Sequence, residues 1–320
     1  MGIISFIPSF FYSQLCYTPP YPIADLSDQV LIVTGSNTGL GYEAAKHFVR
    51  LGANKVILAV RTESKGEDAK KRIVESLNVD PSRIEVWRLD MSSTTSVKAF
   101  ALQVKQLNRL DAIVENAGVM TNDWKTVDGT ECTILVNVIN TVLLALLTLP
   151  KLQESGRKFK TENKLILVGS DLHLLATLPE RNVPGKTVYE ALNCQETSRM
   201  SERYVGTSGS GGNTDSTLLN LYKIRYMNTK LLLMLACRSL AEKNPVSSSS
   251  PVVINYCNPG MCISEIDRDD RGRLAAFAVS TTTSIFARST EVGSRTYVNA
   301  VVLSGKESHG KFVTNCTPTR

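Results

Sequence analysis

A short apolar run, Val30-Leu31-Ile32-Val33-Thr34, passes directly into Gly35-Ser36-Asn37-Thr38-Gly39-Leu40-Gly41 and then into a segment of helical periodicity. A strand that ends in a glycine-rich turn and feeds a helix leaves few folds open. Such glycines let the chain turn tightly and lie close to a ligand, while the helix N-terminus aims unpaired amides at an anion. The pattern predicts a dinucleotide site built from these seven residues.

From residue 30 onward, short apolar runs alternate with helical patterns, the signature of βαβ units around a parallel sheet. Strands are expected at Val30 to Thr34, Lys55 to Val60, Ile84 to Leu89, Ala112 to Val114, Lys164 to Val168, Val252 to Tyr256 and Lys311 to Val313. Helices are expected near 40–52, 63–77, 92–107, 131–153, 223–242 and 290–304. Right-handed crossovers then give an α/β, Rossmann-type doubly wound parallel sheet with helices on both faces, a single domain from residue 30 to 320. No clear strand falls between Ser170 and Tyr226, so a long loop insertion is expected around 174–222, with Thr207 to Ser216 as its Gly/Ser-rich surface part.

The chemistry-bearing residues fall at the carboxyl ends of these strands. Arg61 follows the second strand, where a carboxylate would grip a ribose 2′-hydroxyl; its guanidinium suits a 2′-phosphate instead, which favours NADP(H) over NAD(H). Asp90 closes the third strand within reach of an adenine amino group. Asn116-Ala117-Gly118 closes the fourth, with small residues beside the adenosine half of the cofactor. Tyr226 and Lys230 stand four apart on one helix face, where an ammonium favours a phenolate and lowers the tyrosine pKa. Spacing alone is weak evidence among ten tyrosines. Tyr42 and Lys46 repeat it as an expected solvated pair, and Arg203-Tyr204 repeats the Arg-Tyr context but has Ser208 where lysine is needed.

Over residues 28–313 these features resemble the short-chain dehydrogenase/reductase family. Thr34 through Gly41 is similar to its Thr-Gly-x-x-x-Gly-x-Gly motif, Asn116-Ala117-Gly118 to its Asn-Ala-Gly, and Tyr226-x-x-x-Lys230 to its active-site pair. Asn258-Pro259-Gly260 is similar to its nicotinamide-side turn, with Cys262 close behind and Ser264 where threonine is usual. The Ser-x-x-His of Ser170 and His173 resembles the retinol-dehydrogenase branch, and Thr-Pro-Pro-Tyr-Pro before the domain resembles fungal members of it, many of which serve secondary metabolism. The resemblance implies that Ser170 hydrogen-bonds the substrate oxygen, Tyr226 exchanges its proton, and Lys230 holds the nicotinamide ribose and biases the tyrosine. It further implies that Asn137 holds a water linking Lys230 to solvent, while His173 reads as structural. Glu115, where asparagine or a small apolar residue is more frequent, and Gly169, where serine is, depart from the pattern.

The implied activity is an NADP(H)-dependent oxidoreductase interconverting a carbonyl and an alcohol on a hydrophobic small molecule. A non-redox cyclase or isomerase using Tyr226 and Ser170, or a binding protein whose long insertion blocks the site, are the alternatives. A net charge of +6 spread along the chain argues against nucleic-acid binding. Seven cysteines without a Cys-x-x-Cys pair, and three histidines at 47, 173 and 309, suggest neither a disulfide framework nor a metal site, and fit a reducing, cytoplasmic setting. Residues 1–29 read as an apolar arm, Ile3 to Tyr12, and a proline-rich linker; the arm either packs on the domain or touches a membrane surface. Val142 to Leu147 reads as a buried core helix, and Leu274 to Phe286 as one wall of the substrate pocket. Homo-oligomerisation stays open.

Overall fold

The computed structural model describes residues 8–121, 124–198, 223–263 and 286–319. Its strands, in chain order, are β1 (Val30–Thr34), β2 (Lys55–Val60), β3 (Ile84–Arg88), β4 (Ala112–Glu115), β5 (Thr126–Val127), β6 (Thr130–Glu131), β7 (Asn163–Val168), β8 (Val252–Asn258), β9 (Phe312–Thr314) and β10 (Thr317–Thr319). The main sheet runs β10-β9-β8-β7-β4-β1-β2-β3. All its pairings are parallel except the β9–β10 hairpin. Strand order reverses direction between β1 and β4, and the crevice at that switch point is where a doubly wound sheet takes its ligand.

The central strands read as continuous apolar runs because both faces are covered. Successive side chains alternate between two cores: Ile32, Ile113 and Leu165 pack on one face, Leu31, Val33 and Ile166 on the other. Helices α1 (Gly39–Arg50), α2 (Glu63–Leu77) and α7 (Thr290–Val302) supply the second core, and α3 (Thr94–Lys105), α4 (Cys132–Phe159) and α6 (Lys223–Lys243) the first. Helix α4 is long and apolar enough to cross a membrane, yet most of its apolar window is buried against the sheet. Within Val142 to Leu147, Leu144 and Ala145 are core while Leu146 and Leu147 are exposed, so the run is one amphipathic face rather than wholly buried.

The stretch expected to be an insertion is built differently in its first part. After β7 come 3-10 turns at Asp171–Leu175 and Pro179–Asn182, then a short helix α5 (Val188–Leu192) with a capping box between Thr187 and Glu190. Leu178 and Leu192 pack on Ile134, so residues 171–198 belong to the domain. Thr207 to Ser216, Arg203, Tyr204, Ser208, Ser264 and all of Leu274 to Phe286 but Phe286 lie outside the described residues. The described part of the arm packs on the domain: Phe11 meets Phe286 edge-on at 5.6 Å, and Ser13 is buried.

Candidate active site

At the end of β1, Gly35 and Gly39 take positive φ, 66° and 62°, which a residue with a Cβ rarely adopts. The loop they form is tied from below. Asn116 Nδ2 donates to Thr34 O at 2.9 Å and Gly35 O at 3.3 Å, and Ala117 N donates to Thr34 Oγ1 at 2.9 Å. A Cβ on Gly41 would stand 2.6 Å from Gly35 O and 2.5 Å from Asn116 Nδ2, whereas one on Gly39 would meet nothing within 4 Å. Gly41 is thus glycine for packing, and Gly39 borders open space above the start of α1. That helix carries no acidic residue in its first turn, which leaves its positive end to an anion. This cradle fits a dinucleotide pyrophosphate. Ser36 is fully buried and spends its hydroxyl on Val33 O at 2.8 Å, so only its backbone can serve a ligand.

Arg61 is exposed at the end of β2. A further cation borders the glycine loop: Arg72 on α2 donates to Asn37 O at 2.9 Å and lies 4.4 Å over the Tyr42 ring. Tyr42 itself is buried in the second core, not half of a solvated pair with Lys46. Asp90 shapes its own turn, its Oδ1 accepting from Ser92 N at 2.9 Å and Ser92 Oγ at 2.7 Å.

Ser170 leaves β7 as the N-cap of the following 3-10 turn, its Oγ accepting from Leu172 N at 3.2 Å. That contact uses a lone pair and leaves the hydroxyl proton to be donated elsewhere. Tyr226 and Lys230 stand on α6, with Lys230 Nζ 5.4 Å from the Tyr226 ring centroid and donating to Val168 O at 2.8 Å. Burial brings the Lys230 ammonium down to about 8. The expected lowering of Tyr226 is not what the geometry gives. Burial, with the Asp171 carboxyl nearby, raises the phenol above its ordinary value, because loss of hydration disfavours the phenolate.

Tyr256 on β8 holds these two elements in register. Its hydroxyl donates to Lys230 O at 2.9 Å and accepts from Ser170 N at 3.2 Å. A Cβ at Gly169 would come within 2.1 Å of the Tyr256 ring, which is why serine cannot stand there. His173 is structural as expected: it is buried, its Nδ1 lies 2.6 Å from Ser170 O, and its ring packs edge-on against Tyr256 and Phe312 at 5.5 and 4.8 Å.

Asn137 lies in a π-turn, Leu135–Asn140, inside α4. Its amide is spent on Val119, accepting from N and donating to O at 2.8 Å each, and reaches Thr229 Oγ1 at 3.3 Å. Its side chain thereby joins the loop after β4 to α6. Gly118 lies against it, a Cβ there falling 3.2 Å from Asn137 Oδ1.

On the other flank, Gly260 N donates to Asn258 Oδ1 at 3.1 Å, and Gly260 turns with φ of 77°. Pro259 O accepts from Arg288 Nη1 at 3.0 Å. Cys262 Sγ and Leu40 of α1 flank Gly293, each within 3 Å of a Cβ built there, so the Pro259–Cys262 turn and the start of α1 face each other across the switch point. Two concavities of about 360 and 380 Å³ lie elsewhere, one lined by Asp28, Asn54 and Phe159, the other by Tyr21, His47 and Glu291. Neither contains a group suited to the chemistry above.

The short chain dehydrogenase family model matches residues 29–170. The short chain dehydrogenase/reductase dmxR8 of Cryptosporiopsis sp. is 39% identical over 308 residues, spanning 96% of this chain and 87% of the relative. The short chain dehydrogenase atnD of Emericella nidulans is 38% identical over 311 residues, spanning 97% and 90%. The oxidoreductase yciK from E. coli shares the fold at a TM-score of 0.60 over 92% of this chain and 97% of its own, with 19% identity. The chain belongs to the short-chain dehydrogenase/reductase family. It is an oxidoreductase by that membership, with relatives in fungi.

Proposed function

We propose that the protein interconverts a carbonyl and an alcohol on a hydrophobic small molecule with NADP(H), in fungal secondary-metabolite biosynthesis. The observation that supports this reading is the Tyr256 hydroxyl, which ties the backbone of Ser170 to that of Lys230, the residue whose ammonium lies 5.4 Å from the Tyr226 ring centroid. A dinucleotide would be held by the Gly35–Gly41 loop and the Pro259–Cys262 turn and would supply the hydride. Ser170 donates a hydrogen bond to the substrate oxygen, Tyr226 moves the proton to or from that oxygen, and Lys230 holds the nicotinamide ribose hydroxyls. Arg61 at the end of β2, with Arg72 at the glycine loop, suits a 2′-phosphate. Support for that choice also comes from a solved short chain dehydrogenase of Shigella flexneri complexed with NADP, which shares the fold at a TM-score of 0.56 with 19% identity.

Following NADPH absorbance with a panel of hydrophobic ketones tests the reaction. Consumption with alcohol formation is expected; product formation without NADPH loss would favour a cyclase or isomerase instead. Arg61→Ala and Arg72→Ala should each weaken NADPH more than NADH, since a charge-assisted contact to phosphate has no counterpart in NADH.

A further inference from the structure

The first charged residue of the chain is Asp25, so the segment before it grips the domain through apolar contacts and uncharged polar groups. Several carbonyls of the linker accept from the domain, and a denser set of contacts gathers behind the turn after β8. Gln14 Nε2 donates to Met261 O at 2.9 Å and to Phe286 O at 3.1 Å, while Gln14 Oε1 accepts from Met261 N at 3.3 Å. One side-chain amide therefore satisfies both backbone groups of Met261, as a neighbouring strand would. Behind it, Arg288 Nη1 donates to Pro259 O at 3.0 Å, and Nη2 donates to Ser13 O at 2.5 Å, Tyr17 O at 3.2 Å and Asn315 Oδ1 at 3.0 Å. Backbone bonds of 2.9 Å each, Ile263 N to Arg288 O and Arg288 N to Met261 O, complete the clamp.

Gly260 is at its centre. A Cβ there would lie 2.6 Å from Gln14 Oε1 and 2.8 Å from Arg288 Nη1, so the arm and the arginine close on the turn from behind and fix the direction of its other side. We propose that the N-terminal arm is part of the cofactor site: Gln14, backed by Arg288, is a positioning residue that fixes the Pro259–Cys262 turn for the nicotinamide half of the dinucleotide. The inference rests on the cofactor reading above. A merely stabilising arm would affect both halves of the ligand alike, and an arm serving a membrane would affect neither.

The test is a binding titration of the full chain and of Gln14→Ala and Gln14→Glu with NADPH, with NADH, and with adenosine 2′,5′-bisphosphate, which carries the adenosine end alone. Gln14→Ala should raise the Kd of the reduced dinucleotide by about tenfold, the scale expected when a pre-formed loop loses hydrogen bonds, and leave adenosine 2′,5′-bisphosphate within about twofold. Gln14→Glu should be worse, because both its oxygens are acceptors opposite the Met261 and Phe286 carbonyls. Equal weakening of dinucleotide and bisphosphate, or no change in either, overturns the proposal. If the unaltered protein binds neither NADPH nor NADH, the cofactor reading itself fails and the proposal falls with it, an outcome visible before any variant is made.

Discussion

Two residues in the site pay for their positions in opposite ways, and each gives a measurement. Tyr226→Phe removes only the transferable proton, so turnover should fall by well over tenfold, about 1.4 kcal/mol of barrier, while NADPH affinity survives. Steady-state rates and a binding titration check this; a smaller loss would move the proton to another group. Lys230 is 4% exposed, and burial brings it from its ordinary 10.5 to about 8. Below pH 8 the ammonium is charged in both folded and unfolded chains, and the cost of burying it is fully present. Between about 8 and 10.5 the unfolded chain holds the extra proton, so stability rises with pH there. Lys230→Met should therefore raise the melting temperature at pH 7, and the gain should shrink as pH climbs through that window. A gain independent of pH would mean that the lysine titrates alike in the folded and unfolded chains.

Among the elements, β4 carries a tension that its neighbours do not. Glu115 is 2% exposed, and among the described residues neither carboxyl oxygen has a hydrogen-bond partner; burial raises its pKa well above the ordinary value. The folded chain keeps this acid neutral while the unfolded chain ionises it above about 4.5, so stability is lost as pH rises from there. Glu115→Met fills similar volume without a polar group and should stabilise by about 1–3 kcal/mol near neutral pH, the gain growing from pH 4.5 upward in denaturant melts. At this scale the sequence was highly legible. The strands β1 and β2 and the helix α2 fall where apolar runs and helical periods predict them, because parallel strands covered on both faces leave an unbroken apolar signal. The β5–β6 hairpin was not legible, and of the β9–β10 hairpin only the first strand was, expected at Lys311 to Val313 and found at Phe312–Thr314. Strands of two or three residues have no period to read, and the turn of β9–β10 uses Asn315 and Cys316 at positive φ in place of glycine. Nor could a sequence show that Tyr256, an ordinary strand residue by pattern, joins Ser170 to Lys230, or that Gly169 is glycine because of that ring; both follow from the register of β7 against β8. The Tyr226 pKa was misread for the same reason, since burial cannot be seen in a four-residue spacing.

Across the whole molecule, the catalytic helix is fastened to a distant part of the chain by a buried ion pair. Arg225, next to Tyr226 and 6% exposed, lies 3.3 Å from the fully buried Glu131. Glu131 in turn starts α4, accepting from Ile134 N and Thr133 Oγ1 at 2.9 Å each, while its own N–H donates to Asn193 Oδ1 at 2.6 Å. A parallel tie joins Asn228 Nδ2 to the buried Glu180 at 3.2 Å. Residues 171–198 and the start of α4 are thus held to the turn of α6 that carries Tyr226 by polar groups withdrawn from water. Such a pair adds little over an apolar replacement, but losing one partner strands the other. Glu131→Ala should cost about 3–5 kcal/mol, because it leaves the guanidinium buried without its carboxylate and α4 without its cap. Arg225→Met should cost less, since Glu131 keeps its two donors. The double variant should lose clearly less than the sum of the two, by about 2 kcal/mol or more. Strict additivity in urea melts would show that the two charges do not depend on each other.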